Sequence, residues 1–373
     1  MIKVPSLLVI IYLSFTTTLG AQDHSHGSGH ALMYPNIAGY VTLKADLHQH
    51  TVFSDGEVWP TIRVMEALRE NLDAISLTEH LEYQPHEQDI PHPDRNRAYE
   101  LALIEAGDHD LLIIPGSEIT RTEPVGHSNA LFISDTNLLL GEKPETPFKE
   151  AKKQDAFVFW NHPAWYRQSP SGNPILTEFQ LERIANGEVH GIEVINEYDY
   201  AEESLALALK YNLTIMGTSD IHGLIDWQYL EKGIHRPITL VFAREKSIAS
   251  MRDALFKGNT VAVYNKLLVG KPEFLEPLLQ ASIQINKAVY IQDTDILEVE
   301  LENISSSDLL FENMMPFTFY SNPPVFEVSA GKTHILKIKT LKKAEGIILK
   351  LKALGAYTAP NIHPEISWNI TVE

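Results

Sequence analysis

"KADLHQHTVFSDG", residues 44–56, sets His48, His50 and Asp55 into one short stretch. The run that leads into it, VTLKADLH (41–48), alternates like a strand. Side chains at i and i+2 of a strand point the same way, so His48 and His50 are expected to face one interior. A His-x-His alone says little, because a buried histidine is most often a satisfied core residue. The reading turns on whether other strand ends carry matching groups.

They do. From about residue 37 to 268, short apolar runs alternate with segments of helical periodicity, the pattern of a β/α architecture. Strands are expected at DAISLTEH (73–80), LLIIPGSE (111–118), NALFIS (129–134), AFVFWNH (156–162), GIEVINE (191–197), LTIMGTSD (213–220) and ITLVFA (238–243). Amphipathic segments such as TIRVMEALREN (61–71) and EESLALALKYN (202–212) lie between them. In parallel β/α barrels the reacting groups sit at the C-terminal ends of the strands. Six of the sixteen histidines fall there: His48, His50, His80, His127, His162 and His222. Glu118, Asp55 and Asp220 join them, and Asp220 with His222 repeats the i, i+2 spacing. These nine nitrogen and oxygen donors exceed what one metal needs, since zinc takes about four ligands. The surplus points to two or three ions sharing a bridging carboxylate, and zinc, manganese and iron all accept such a set.

Composition narrows the chemistry further. The chain has 373 residues, 44% hydrophobic and 21% charged, as expected for a folded protein with a sizeable core. Its net charge of −19 argues against nucleic acid or an anionic membrane as the main partner. An anionic substrate would then need local positive charge, which bound cations supply. With no cysteine, thiolate metal sites, disulfides and cysteine nucleophiles are excluded.

The N-terminus, with Lys3, an apolar run to about Phe15 and small residues near Gly20–Ala21, reads as a signal peptide over 1–21. An exported protein, periplasmic or extracellular and without a lipid anchor, is expected. Residues 22–36 read as a flexible linker whose His24, His26 and His30 belong to a polar leader. The β/α region is assigned to 37–270, and no further helices are expected after about 275. Segments such as ILEVELENIS (296–305), HILKIKT (334–340) and ISWNITVE (366–373) alternate as strands, so 275–373 reads as a small β-sandwich with a structural or docking role.

The motifs "DLHQHTVFSDG", "LTEH", "PGSEIT", "GHSNAL", "WNHP" and "SDIHG", in that order over residues 44–223, resemble the PHP (polymerase and histidinol phosphatase) superfamily. The resemblance implies a distorted (β/α)7 TIM-like barrel and a trinuclear centre hydrolysing phosphoesters with a metal-activated water. It implies that His48, His50, Glu118 and Asp220 hold one ion and that Glu118 bridges to a second with His127 and His162. Asp55, His80 and His222 would hold the third, Asp55 standing where some members carry histidine. No family pattern covers the C-terminal region.

Arg236, Arg121 and His235 are the expected phosphate contacts, because cationic donors suit phosphoryl oxygens. Glu193 is either a partner to a ligating histidine or a substrate-facing group, and Asn161 and Asn196 share that ambiguity. Trp165, Tyr166 and Arg167, just after "NHP", form a possible substrate wall. The expected substrate is a phosphomonoester or small phosphodiester, with nucleic acid entering only as an oligonucleotide end. Amide or lactone hydrolysis of the amidohydrolase type, or a non-catalytic metal-binding role, are the alternatives.

Overall fold

Residues 31–373 are described by the computed structural model. The expected signal peptide and His24, His26 and His30 lie outside the described residues. In chain order the first region runs β1 (Val41–Asp46), α1 (Pro60–Arg69), β2 (Ala74–Ile75), α2 (Arg97–Ala106), β3 (Leu112–Ile113), β4 (Gly116–Thr120), β5 (His127–Leu131), α3 (Thr146–Lys153) and β6 (Phe157–Trp160). It continues α4 (Glu178–Ala185), β7 (Gly191–Asn196), β8 (Asp199–Tyr200), α5 (Glu202–Tyr211), β9 (Thr214–Thr218), the one-turn α6 (Ile225–Gln228), β10 (Ile238–Ala243), α7 (Ile248–Lys257), β11 (Thr260–Tyr264), β12 (Leu267–Gly270) and α8 (Pro272–Ser282).

These strands form two open sheets rather than one hydrogen-bonded ring. One contains β12, β11, β10, β1, β2 and β3 in that order, the other β4, β5, β6, β7 and β8, with β9 also paired to β7. The expected barrel is therefore not closed by ladders among the described residues. At the seam, hydroxyls stand in for strand pairing. Thr239 Oγ1 donates to Gly217 O (2.8 Å) and accepts from Gly217 N (2.9 Å), and Thr260 Oγ1 donates to Ile215 O (2.7 Å). Gly217 is required there, since a Cβ would lie 2.9 Å from Ala262 Cβ and 3.0 Å from Ile238 O.

At the end that carries the histidines the sheets are tied by two isolated parallel bridges, Gln49 with Ile221 and His80 with Glu118. His48 and His50 thus lie beyond β1, on a segment whose backbone exchanges Asp220 N→His48 O (2.9 Å) and His50 N→Ile221 O (3.0 Å).

Two features of this region depart from expectation. The hairpin β11–β12 adds antiparallel strands to the first sheet. Helix α8 occupies a stretch expected to hold none; Pro277 inside it masks a buried face of Phe274, Leu275, Leu278 and Leu279.

The remaining strands are β13 (Ile283–Tyr290), β14 (Ile296–Asn303), β15 (Leu309–Asn313), β16 (Thr318–Phe319), β17 (Val325–Val328), β18 (Thr333–Lys339), β19 (Gly346–Ala353), β20 (Ala356–Tyr357) and β21 (Glu365–Thr371). Eight of them build two four-stranded sheets, β13-β14-β18-β16 and β17-β15-β19-β21. Strict alternation explains the sandwich: Leu297, Val299 and Leu301 of β14 are buried while the glutamates between them face outward. One apolar cluster joins Phe242 and Val261 of the first sheet, the α8 face, and Leu297 and Leu349 of the sandwich. The ninth strand, β20, leaves the sandwich to pair in parallel with β12.

Candidate metal centre

The bridged strand ends converge their side chains on a common point. His48 Nε2 and His50 Nε2 lie 3.1 Å apart, and both face Asp220 Oδ1, at 3.1 and 3.0 Å. Glu118, fully buried, lies 3.0 Å from His127 Nδ1 and 3.5 Å from His162 Nε2 through Oε1, and its Oε2 touches His80 Nδ1. Asp55 Oδ1 faces His222 Nε2 (3.2 Å) and His80 Nε2 (3.3 Å). All nine residues expected as ligands are thus brought together. Their donor atoms form four overlapping groups, each within 4.8 Å: His50, Asp55, His80 and His222; His48, His50 and Glu118; His48, His162 and Asp220; His80, Glu118 and His127. His50 joins the Asp55 group, a sharing the sequence did not suggest.

The rings are aimed from behind. His48 Nδ1 donates to Glu193 (2.8 Å), and His222 Nδ1 donates to the carbonyl of Asp220 (2.8 Å). Such partners fix the tautomer and leave Nε2 free for the centre. Glu193 is also held by the His162 N–H (2.6 Å), Asn196 Nδ2 (3.1 Å) and Thr218 Oγ1 (2.6 Å). Asn161 Nδ2 donates to Glu118 Oε1 (2.9 Å), so both asparagines orient carboxylates.

The electrostatics fit a cation site. Burial opposes charge on His48, but the Asp220, Glu193 and Glu118 carboxylates outweigh it and push the ring up to about 10. Burial, helped by His222 and His80, pushes the adjacent His50 down to about 3. Burial would raise Asp55 and Asp220, yet the facing imidazoles hold both well below the usual carboxylate range. Asp55 Oδ1 is buried without a hydrogen-bond partner despite its two ring neighbours. An orphaned carboxylate oxygen among converging imidazole nitrogens is the donor set that divalent ions take.

Above the centre opens a cavity of about 400 Å³. Residues 163–167, with Trp165, Tyr166 and Arg167, line it on one segment, and Glu193, Asn196, Glu197, Asp199 and Ala201 line it on another. Trp165 lies edge-on to His162 (5.2 Å) and the Arg167 guanidinium stands 5.4 Å from the Trp165 ring.

In the solved structures, a two-domain protein from Bacteroides vulgatus containing a predicted PHP-like metal-dependent phosphoesterase is 36% identical to this chain. The alignment covers 92% of this chain and 98% of that one, with a TM-score of 0.84. The chain belongs to this PHP-like metal-dependent phosphoesterase family. A family model described as an Ig-like domain (DUF5001) matches residues 283–369, so the sandwich is Ig-like. More distant similarity extends to PsfC from Pseudomonas syringae (21% identity, 60% of this chain and 92% of that one, TM-score 0.42). It extends also to a lesion-specific endonuclease from Pyrococcus furiosus (14%, 66% and 62%, TM-score 0.42). No curated protein sequence matches the chain.

Of the phosphate contacts expected in this PHP-like protein, none lines the cavity. Arg236 is fully buried, paired with Asp46 (3.0 Å) and Glu70. Asp46 in turn accepts from Ser219 N (3.1 Å) and Oγ (2.5 Å), beside Asp220. Arg236 is therefore a strut beneath the centre. Arg121 is spent on Glu82 (2.6 Å) and the Gly141 carbonyl (2.5 Å). His235 is held between Arg236 O (2.6 Å) and Asn265 N (3.1 Å). The arginine that does line the cavity is Arg167.

Sequence reasoning missed two buried groups. Arg63 donates to the backbone carbonyls of His50 (3.0 Å), Ile221 (3.1 Å) and His222 (2.8 Å), clamping the two ligand-bearing segments together. Glu79 accepts from Thr51 N (3.1 Å), Thr51 Oγ1 (2.6 Å) and Ser54 Oγ (2.5 Å), fixing the turn that presents Asp55. The signal for Arg63 was available: it sits on the face of α1 that carries Val64 and Ala67 into the core.

Proposed function

We propose that the protein is a metal-dependent hydrolase of phosphomonoesters or small phosphodiesters, acting after export under its N-terminal apolar leader. The observation that carries this reading is the convergence of nine imidazole and carboxylate donors beneath an open cavity, with Asp55 Oδ1 left unpartnered. Its 36% identity with a PHP-like protein supports the same chemistry.

Two or three divalent ions, with zinc, manganese or iron each suited, would be held by His48, His50, Glu118 and Asp220, by Glu118, His127 and His162, and by Asp55, His80 and His222. Such ions supply Lewis acidity and positive charge toward phosphoryl oxygens and water. The chain's own contribution is orientation. Glu193 fixes the His48 ring and the His162 backbone, Asn161 fixes Glu118, and Arg63 and Glu79 hold the loops. Arg167 offers a guanidinium to a substrate anion, while Trp165 and Tyr166 shield one side of the cavity.

The test is metal analysis coupled to phosphate release from a panel of monoesters and diesters after loading with manganese, zinc or iron. Metal-dependent release that is abolished in His50→Ala supports the reading. A fully loaded protein that releases no phosphate from any member overturns it.

A further inference from the structure

The Ig-like domain reaches into the neighbourhood of the cavity. Between β19 and β21 the chain leaves the sandwich as a tight excursion, residues 354–363, in which β20 pairs with β12 of the first sheet. The Leu268 N–H donates to Gly355 O (3.0 Å). A Cβ on Gly355 would lie 2.4 Å from Lys266 O, so only glycine permits this approach.

This excursion touches Tyr200 and Glu202, which flank the cavity-lining Asp199 and Ala201. Tyr357 stacks on Tyr200 with ring centroids 5.6 Å apart and an interplanar angle of 29°. The His363 ring also lies against Tyr357, tilted at 49° with centroids 4.6 Å apart. The Asn361 N–H donates to Glu202 Oε1 (2.8 Å) at the start of α5. Both tyrosines pack against the apolar core beneath the second sheet.

Tyr200 closes a very short hairpin. Ile195 pairs with Tyr200 and Asn196 with Asp199, leaving Glu197 and Tyr198 as the turn. Glu197 takes a left-handed backbone conformation (φ 50°), disfavoured for a side chain of its kind, and its N–H is anchored to Thr218 O (3.2 Å). Glu197 and Asp199 both line the cavity. An otherwise marginal two-residue strand is thus pinned from outside by another domain.

We propose that the Ig-like domain braces an acidic wall of the substrate cavity, and that Glu197 and Asp199 on this wall select phosphoesters with uncharged, hydroxyl-bearing leaving groups over those carrying a second phosphate. The selection rests on the phosphoesterase reading; the bracing does not. Carboxylates accept hydrogen bonds from hydroxyls and repel a distal phosphate, and like-charge juxtaposition is an effective means of rejection.

The full-length protein is compared with Tyr357→Ala, Tyr357→Phe and Glu197→Gln variants. Probes are a hexose monophosphate and the corresponding hexose bisphosphate, alongside hydrogen exchange of residues 195–202 and metal content. The wild type favours the monophosphate in kcat/KM. Glu197→Gln and Tyr357→Ala erode that preference by about tenfold, mainly through KM, while Tyr357→Phe keeps the stacking ring and behaves as wild type. Tyr357→Ala also speeds exchange in 195–202 at unchanged metal content. Unchanged exchange in Tyr357→Ala overturns the brace, and an unchanged preference in Glu197→Gln overturns the selection. Should the wild type cleave members of the wider ester panel but neither probe, the selection alone falls. Should it release phosphate from no ester at all, the functional reading and the selection fall together, and exchange alone decides the brace.

Discussion

Glu193 accepts a hydrogen bond from His48 Nδ1 at 2.8 Å and, through its other oxygen, from the backbone N–H of His162 at 2.6 Å. One buried carboxylate therefore orients a ring and a loop from two different strand ends. In Glu193→Gln the side chain keeps its volume but no longer offers two anionic oxygens to four donors. Metal affinity should fall about 10- to 100-fold, the usual cost of losing such a partner. Competition with a calibrated chelator reads this directly, and unchanged affinity would reduce Glu193 to a packing role.

The charge state of the metal-free centre sets a pH dependence. His48 rises to about 10 and His222 to about 9, each because facing carboxylates outweigh burial. A histidine raised in the folded state stabilises it fully below its unfolded value of about 6.5 and loses that contribution as pH climbs through the folded value. The metal-free protein should thus lose stability between about pH 6.5 and 9–10. Loading ions must displace these protons, so metal affinity should rise with pH over the same range and binding should release protons. Calorimetric titration in buffers of different ionisation enthalpy, with melting curves of both forms, tests the pair.

How much of this was legible in the sequence follows from where the information sits. The ligands could be read because metal chemistry depends on residue type, and His48, His50, Asp220 and His222 announce themselves by spacing. Their sharing could not, because His50 joins Asp55, His80 and His222 only through the bridges between Gln49 and Ile221 and between His80 and Glu118. Arg236 was misplaced for a related reason. Position before a strand is local, whereas its partners Asp46 and Glu70 lie 190 and 166 residues away in the chain. The open seam was hidden too, since Thr239 and Thr260 read as ordinary strand residues until Gly217 and Ile215 are beside them.

That correction can be tested on Arg236 itself. Arg236→Met leaves Asp46 and Glu70 buried without their counter-charge, which costs about 3–5 kcal/mol. The expected outcome is a lower urea midpoint, with partial recovery when Glu70→Gln is added. KM for a phosphomonoester in the folded fraction should stay near wild type. A raised KM at undiminished stability would instead return Arg236 to the substrate.

A second pH effect lies outside the centre, at His190. Its Nδ1 accepts from the Val158 N–H (3.1 Å) and its ring lies against Phe256 (4.7 Å), where burial pushes it down to about 4. A base depressed in the folded state binds its proton first in the unfolded chain, so stability is lost as pH falls from about 6.5 toward 4. At roughly 1.4 kcal/mol per pKa unit the loss is on the order of 3 kcal/mol at most. His190→Asn keeps an acceptor for Val158 but does not titrate. Its stability should vary less than wild type between pH 6.5 and 4, whatever its absolute value at neutral pH. Parallel slopes for the two proteins in urea unfolding across that window would show that His190 does not govern the acid limb.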